Sequence, residues 1–188
     1  MALYTGKGDA GTSKIFSTPS GERISKGDEV FEVLGNLDEI NSFLGICKIK
    51  SRGVHLIVDD HEVAVSAIIH ALQKDLFIVQ AAIAGADLEL EERKVAELEE
   101  LISIIEGKLP PITTFFISGG TELAAFCDTA RTVTRRAERS LVRFLALHPE
   151  RTHPDVIAYL NRLSSVLYAL ARFANHQAGV AEEAPDYK

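Results

Sequence analysis

The sequence predicts an all-α fold: an antiparallel five-helix bundle preceded by an irregular glycine-rich N-terminal arm. Three observations predict it. Five segments carry apolar residues at three- and four-residue steps. Glycine, proline or both stand at most of their ends. Residues 1–27 lack that period and hold five of the 13 glycines. The chain therefore reads as a single domain, with a flexible arm over 1–27, a bundle over 28–180 and a loose tail over 181–188. At 188 residues, it buries about 70% of its unfolded surface and needs no disulfide or metal staple.

The elements follow in order. The arm is irregular, with a short strand expected near residues 14–17. Asp28 is placed to cap the first helix, whose stripe runs Val30, Val33, Leu37, Ile40, Leu44 and Cys47. About 20 residues make it a rod of roughly 30 Å. A second helix is expected from Asp59 or Asp60, with Val65, Ile69, Leu72, Leu76, Val79 and Ile83 inward and Gly85 at its end. A third spans 89–106, with Val95, Leu98, Ile102 and Ile105 on one face and a solvated run of Glu on the other. Gly107 and the Pro110-Pro111 pair stop it. Residues 113–120, TTFFISGG, form an apolar connector without a strand partner. The fourth helix covers 121–147 and closes at His148-Pro149. Pro154 suits the first turn of a fifth, which Ile157, Leu160, Leu163, Leu167, Ala171 and Ala174 carry to about residue 178.

Composition narrows the function classes. Twenty basic and 27 acidic side chains give a net charge of −7, which excludes broad nonspecific nucleic-acid binding. The 46% hydrophobic and 25% charged fractions exclude global disorder, collagen and a disulfide scaffold. Cys47 and Cys127 stand apart, outside any CxxC, and read as reduced core thiols. The longest apolar stretch, 76–86, contains Gln80 and is too short for a bilayer. The chain opens on polar residues, so a soluble cytoplasmic protein is expected, without nucleic-acid or membrane partners.

Two segments carry chemistry. In the arm, Thr5, Gly6, Lys7, Gly8, Asp9, Gly11, Thr12, Ser13 and Lys14 combine glycines, hydroxyls and cations. Glycines let backbone N–H groups converge on an anion. Gly6, Gly8 and Gly11 spell GxGxxG, but too few residues precede them for a core strand and no βαβ alternation follows, which excludes a dinucleotide fold. Thr12 stands where a Walker A lysine is required. A phosphate cradle and a turn-rich terminus both fit the arm alone.

In the fourth helix, Arg131, Arg135, Arg139 and Arg143 recur every four residues on one face, with Arg136 beside them. Such a stripe answers to carboxylates, to a polyanionic ligand or to solvent. Arg136 and Arg143 fit the solvent reading best, and Glu138 could relieve Arg135 locally. Asp38 in the first helix suits pairing with an arginine of another helix. Asn161 borders the apolar face of the fifth, as a buried hydrogen-bonding group or ligand contact. The six histidines show no metal spacing, and His148 and His153 read as surface or cap residues.

Four blocks together resemble the PduO-type ATP:cob(I)alamin (corrinoid) adenosyltransferase family: YTGKGDAGTSKI (4–15), KGDEVFEVLGNLDEINSFLG (26–45), FFISGGTELAAFCDTARTVTRRAERSLV (115–142) and LNRLSSVLYALARFAN (160–175). They cover about 40% of the residues in the family's order. The resemblance implies a homotrimer of five-helix bundles with sites between subunits. It implies transfer of the 5′-deoxyadenosyl group of ATP to cob(I)alamin, giving adenosylcobalamin and triphosphate. It also assigns roles. The arm residues, with Lys26, Arg135 and Arg139, would hold the triphosphate. Glu138 and Asn161 would face the nucleoside. Phe115 would cover the lower corrin face, and Asp38 would pair with Arg131 to shape the corrinoid site. Mg²⁺ would be held mainly by ATP phosphates, with no protein side-chain ligand assigned. Partners compatible with that chemistry are a flavoprotein reductase and an adenosylcobalamin-dependent enzyme. Ser165 and Gly6 depart from the family pattern, where Asp and a basic residue are usual. The alternative is a noncatalytic bundle that carries or senses ATP or adenosylcobalamin.

Overall fold

The computed structural model describes residues 2–151 and 154–187; Met1, Thr152, His153 and Lys188 lie outside the described residues. Among these, five helices form a bundle: α1 (Glu29–Lys50), α2 (Val65–Ile83), α3 (Arg93–Glu106), α4 (Glu122–Leu147) and α5 (Pro154–Gln177). Two strand pairs accompany them, so the fold is mostly rather than purely helical. β1 (Thr12–Ser13) pairs antiparallel with β2 (Ile24–Ser25), and β3 (His55–Val58) with β4 (His61–Ala64).

Local chemistry sets the helix ends. Asp28 caps α1 by accepting from the Val30 N–H at 3.0 Å. Thr121 caps α4 by accepting from the Ala124 N–H at 3.2 Å. Each cap satisfies an N–H that the helix itself leaves unpaired.

The helices pack in the order α2, α1, α4, α5, α3. Asn36 meets Ser140 toward one end of the α1–α4 interface and Lys50 meets Glu122 toward the other, so those helices are antiparallel. Asn161 meets Glu138 and Asn175 meets Thr121, which makes α4 and α5 antiparallel too. α4 is central because its buried stripe contains small residues, Ala124, Cys127, Ala130, Thr134 and Ala137, which admit a helix on either side. Leu37, Ile40 and Leu44 of α1, Leu141 and Phe144 of α4, and Leu160, Leu163 and Leu167 of α5 join one core. α3 is held partly by charge. Lys94 contacts Asp75 at 3.3 Å and Glu97 at 3.0 Å, and the Tyr159 hydroxyl donates to Asp75 at 3.2 Å. Burial, then the Asp75 charge, push the Tyr159 hydroxyl up, which keeps it a donor.

The structure corrects three expectations of the sequence. The second helix begins at Val65, because residues 55–64 form the β3–β4 hairpin. Asp59 and Asp60, read as a helix start, have φ of 46° and 63°. A two-residue hairpin turn with both φ positive matches strand twist, and Asp tolerates that region. The third helix begins at Arg93 rather than Glu89; residues 88–91 have no regular structure, and Leu90 is buried from that segment. The arm's strand lies at Thr12–Ser13, ahead of the expected 14–17.

Candidate active site

The arm is built from two successive turns, in which the Asp9 N–H donates to the Gly6 carbonyl (3.2 Å) and the Gly11 N–H to the Gly8 carbonyl (3.1 Å). Gly6 and Gly11 have φ of 67° and 71°, where a side chain would be strained. The Lys26 N–H donates to the Gly11 carbonyl at 2.8 Å, and its Nζ lies so close to Gly8 that a Cβ there would meet it at 2.9 Å. Thr5 Oγ1 accepts from the Lys7 N–H at 3.4 Å. Gly8, Thr12 and Ser13 are half-buried, while Thr5, Gly6, Lys7, Asp9, Gly11, Lys14 and Lys26 are exposed. Downstream, the Ser17 N–H donates to the Ala84 carbonyl at 3.2 Å. Gly85 has φ 85°, and a Cβ there would stand 2.5 Å from Ser17 Cβ, so this docking requires glycine.

Three concave surfaces surround these elements. A groove of about 800 Å³ runs between the arm, α1 and α2, lined by Lys14, Phe16, Phe31, Leu34, Asp38 and Phe77 among others. A cavity of about 670 Å³ lies between the 107–120 connector, α4 and α5, and Phe115, Arg131, Arg135, Tyr168 and Arg172 face it. A third of about 470 Å³ is formed by Arg135, Glu138, Arg139, Val142, Arg143 and Asn161. Arg135 borders both arginine-lined cavities. Among the described residues, no arm residue lines either of those cavities, and no stripe arginine lines the groove.

The site residues read from sequence thus fall into separate sets. Arg135, Glu138, Arg139 and Asn161 come together, and Asn161 Nδ2 donates to Glu138 Oε1 at 3.0 Å. Glu138 therefore turns to Asn161 rather than relieving Arg135. Arg131 and Phe115 share a cavity. Within one chain Asp38 and Arg131 do not pair. Arg131 Nε donates to Asp128 Oδ1 at 3.0 Å, three residues away on its own helix, whereas Asp38 is exposed on the groove. Arg136 is no plain solvent residue, because it binds Glu39 and donates to Asn36 Oδ1 at 3.2 Å across α1. Arg143 joins the third cavity.

Four further residues were missed. Arg23 donates to Thr12 Oγ1 (2.8 Å) and to the Thr12 carbonyl (2.7 Å), bracing the arm; no spacing signals it. Tyr168 lies beneath the Arg131 guanidinium at 5.7 Å from its ring centre, and burial pushes its hydroxyl up. Arg172 and Glu182 are paired. A signal for two of them existed: Asn161, Ser165, Tyr168 and Arg172 recur at helical spacing beside the apolar stripe of α5.

A family model for cobalamin adenosyltransferases matches residues 3–174. The chain belongs to the cobalamin adenosyltransferase family. It is 35% identical over 185 residues to the corrinoid adenosyltransferase PduO of Citrobacter freundii, covering 95% of this chain and 51% of that one. The chain thus spans about half the length of that relative. It is 33% identical to the corrinoid adenosyltransferase of Bacillus subtilis, covering 97% of this chain and 91% of that protein. Among solved structures, it is similar to a phenylalanine-to-alanine variant of the PduO-type ATP:corrinoid adenosyltransferase of Lactobacillus reuteri complexed with cobalamin and ATP. That match has a TM-score of 0.83 at 28% identity and covers 98% of this chain and 99% of the other. No described helix of this family member is long and apolar enough to cross a membrane.

Proposed function

We propose that this chain transfers the 5′-deoxyadenosyl group of ATP to a cob(I)alamin-type corrinoid, at sites shared between neighbouring copies in a homotrimer. The Co(I) electron pair attacks C5′, a cobalt–carbon bond forms, and the C5′–oxygen bond breaks with its electrons on the departing triphosphate. Family membership supports the reaction. The observation that carries the shared site is the split described above: arm and arginine stripe lie on different surfaces of one chain. A head-to-tail contact that closes as a ring sets one copy's arm against the next copy's stripe.

The chain's groups suit the chemistry. Triphosphate leaves as a highly charged anion, so catalysis needs fixed cations and N–H donors around it. The arm's amides, Lys7, Ser13, Lys14 and Lys26 are one set, and Arg135 and Arg139 are the other. Glu138 and Asn161, already hydrogen-bonded to each other, would face the nucleoside. The described residues contain no His, Cys, Asp or Glu cluster suited to a metal. A Mg²⁺ ion accompanying ATP would be held mainly by phosphate oxygens. Phe115 is 78% exposed on its cavity, and there it would cover the lower corrin face and exclude water and the lower axial ligand. Asp38 of one copy would meet Arg131 of the next.

The test is an anaerobic assay with chemically reduced cob(I)alamin and MgATP. Protein-dependent, light-sensitive adenosylcobalamin together with inorganic triphosphate is the expected result. ATP and corrinoid binding without product would favour the carrier or sensor reading instead.

A further inference from the structure

The C-terminal tail is tied to the connector that carries Phe115. Gly179, with φ 67°, ends α5, and the Gly179 and Val180 N–H groups donate to the carbonyls of His176 (3.1 Å) and Asn175 (2.9 Å). This cap reverses the chain. Glu182 thereby returns to Arg172, whose Nε donates to both carboxylate oxygens (2.9 and 3.0 Å) and whose Nη2 donates to one of them (2.8 Å). Arg172 is only 4% exposed.

The same guanidinium holds the connector. Its Nη2 donates to the Pro110 carbonyl at 3.0 Å, and its Cζ lies 5.2 Å from the Phe116 ring centre. The Ile117 N–H donates to the Glu183 carbonyl at 2.8 Å. One helical turn on, Asn175 Nδ2 donates to the Gly119 carbonyl (2.9 Å), and its Oδ1 accepts from the Thr121 N–H (2.9 Å). Phe115 is bracketed by these attachments at 110, 116, 117 and 119–121, while its own ring is exposed. Its position is therefore set through its neighbours.

We propose that Arg172, fixed by Glu182, is a positioning residue for adenosyl transfer: it orients the connector so that Phe115 stands over the corrinoid cavity, with residues 178–183 as the strap. The proposal rests on the reading of Phe115 given above. Glu182 itself lies beyond the residues matched to the family. Without its carboxylate, a buried guanidinium loses its counter-charge and the connector its anchor.

The assembled protein is compared with Glu182→Gln, Arg172→Lys, Phe115→Ala and the Glu182→Gln/Phe115→Ala double variant. MgATP binding and circular dichroism certify each fold, and if Arg172→Lys fails to fold, Glu182→Gln carries the test. Corrinoid and MgATP are varied separately in the transfer assay. The absorbance of bound cob(II)alamin reads loss of the lower ligand. Glu182→Gln and Arg172→Lys are expected to lower kcat/KM for corrinoid about ten- to a hundredfold, as a misplaced group does. The KM for MgATP stays within about twofold, less cob(II)alamin loses its lower ligand, and Glu182→Gln adds nothing once Phe115 is alanine. Wild-type kinetics in Glu182→Gln beside an impaired Phe115→Ala overturn the proposal alone. So does an undiminished effect of Glu182→Gln in the Phe115→Ala background. No transfer by the unmodified protein, or a Phe115→Ala variant with wild-type kinetics, overturns the underlying reading and the proposal with it.

Discussion

Asn161 on α5 donates its side-chain amide to Glu138 on α4 at 3.0 Å, while its carbonyl oxygen accepts from Arg162 at 2.7 Å. Arg162 Nε in turn donates to Glu99 of α3 at 2.8 Å. The chain Glu99–Arg162–Asn161–Glu138 crosses three helices and ends in the cavity shared with Arg135 and Arg139. Asn161 is therefore held at both ends of its amide by the chain itself. Hydrogen bonds to charged groups contribute about 1.5–3 kcal/mol. Asn161→Ala is expected to raise the KM for ATP about ten- to a hundredfold, with the KM for corrinoid within about twofold. Steady-state kinetics with each substrate varied in turn check it.

Arg135 borders both arginine-lined cavities and is exposed, so its removal should spare the fold. Losing one donor to developing charge costs about 10²–10³ in kcat. Arg135→Ala is expected to lose at least that factor at an unchanged melting temperature. Arg135→Lys keeps the charge but not the planar fork, and should recover only part of the rate. Single-turnover formation of adenosylcobalamin measures both.

Gly120 has φ 96°, and a Cβ there would stand 2.4 Å from Asn175 Oδ1. Alanine must take an unfavourable backbone conformation, at about 1–2 kcal/mol, and displace an amide that caps the connector, at about 1–3 kcal/mol. For a chain of this size, each kcal/mol shifts the melting temperature by about 2–4 °C. Gly120→Ala should therefore melt roughly 5–15 °C lower by calorimetry, whereas alanine at exposed Gly35, where a Cβ meets nothing within 4 Å, should not.

Cys47 of α1 and Cys127 of α4 are both fully buried and neighbour each other. That contact lowers the Cys47 thiol, and the same contact, with burial, pushes Cys127 well up. Thiolate is the reactive form, so Cys127 stays protonated through the usual alkylation range, and burial keeps reagent from Cys47. Titration with a thiol reagent at pH 8 should find neither group in the folded protein and both after denaturation.

Much of this architecture is legible in the sequence, for physical reasons. The stripes of α1, α4 and α5 are long and regular, and Asp28 and Thr121 are strong caps, so those helices stand out. The β3–β4 hairpin does not. Its Asp59-Asp60 turn looks like a helix cap until both residues are seen at positive φ. Leu90 is apolar and fits a helical stripe, so the sequence does not show that it is buried from an irregular segment ahead of α3. At the site, Arg135, Glu138, Arg139 and Asn161, which motif order had grouped, line one cavity. Within one chain Arg131 pairs with Asp128, one turn away, an i,i+3 contact not singled out from the sequence. The Arg172–Glu182 pair was hidden because it depends on Gly179 turning a short tail back on its own helix, and no helical period records that reversal.

Complementation between two disabled chains tests the shared site most directly. Arg135→Ala removes one half of it and Lys7→Ala together with Lys14→Ala removes the other. The two variants are co-expressed with different affinity tags, and mixed oligomers are isolated through both. If neighbouring copies share each site, mixed oligomers contain some sites with both halves intact, and adenosylcobalamin formation rises well above either variant alone. If each chain carries a complete site, every site in the mixed oligomers is defective and activity stays at the level of the parents, which would contradict the account.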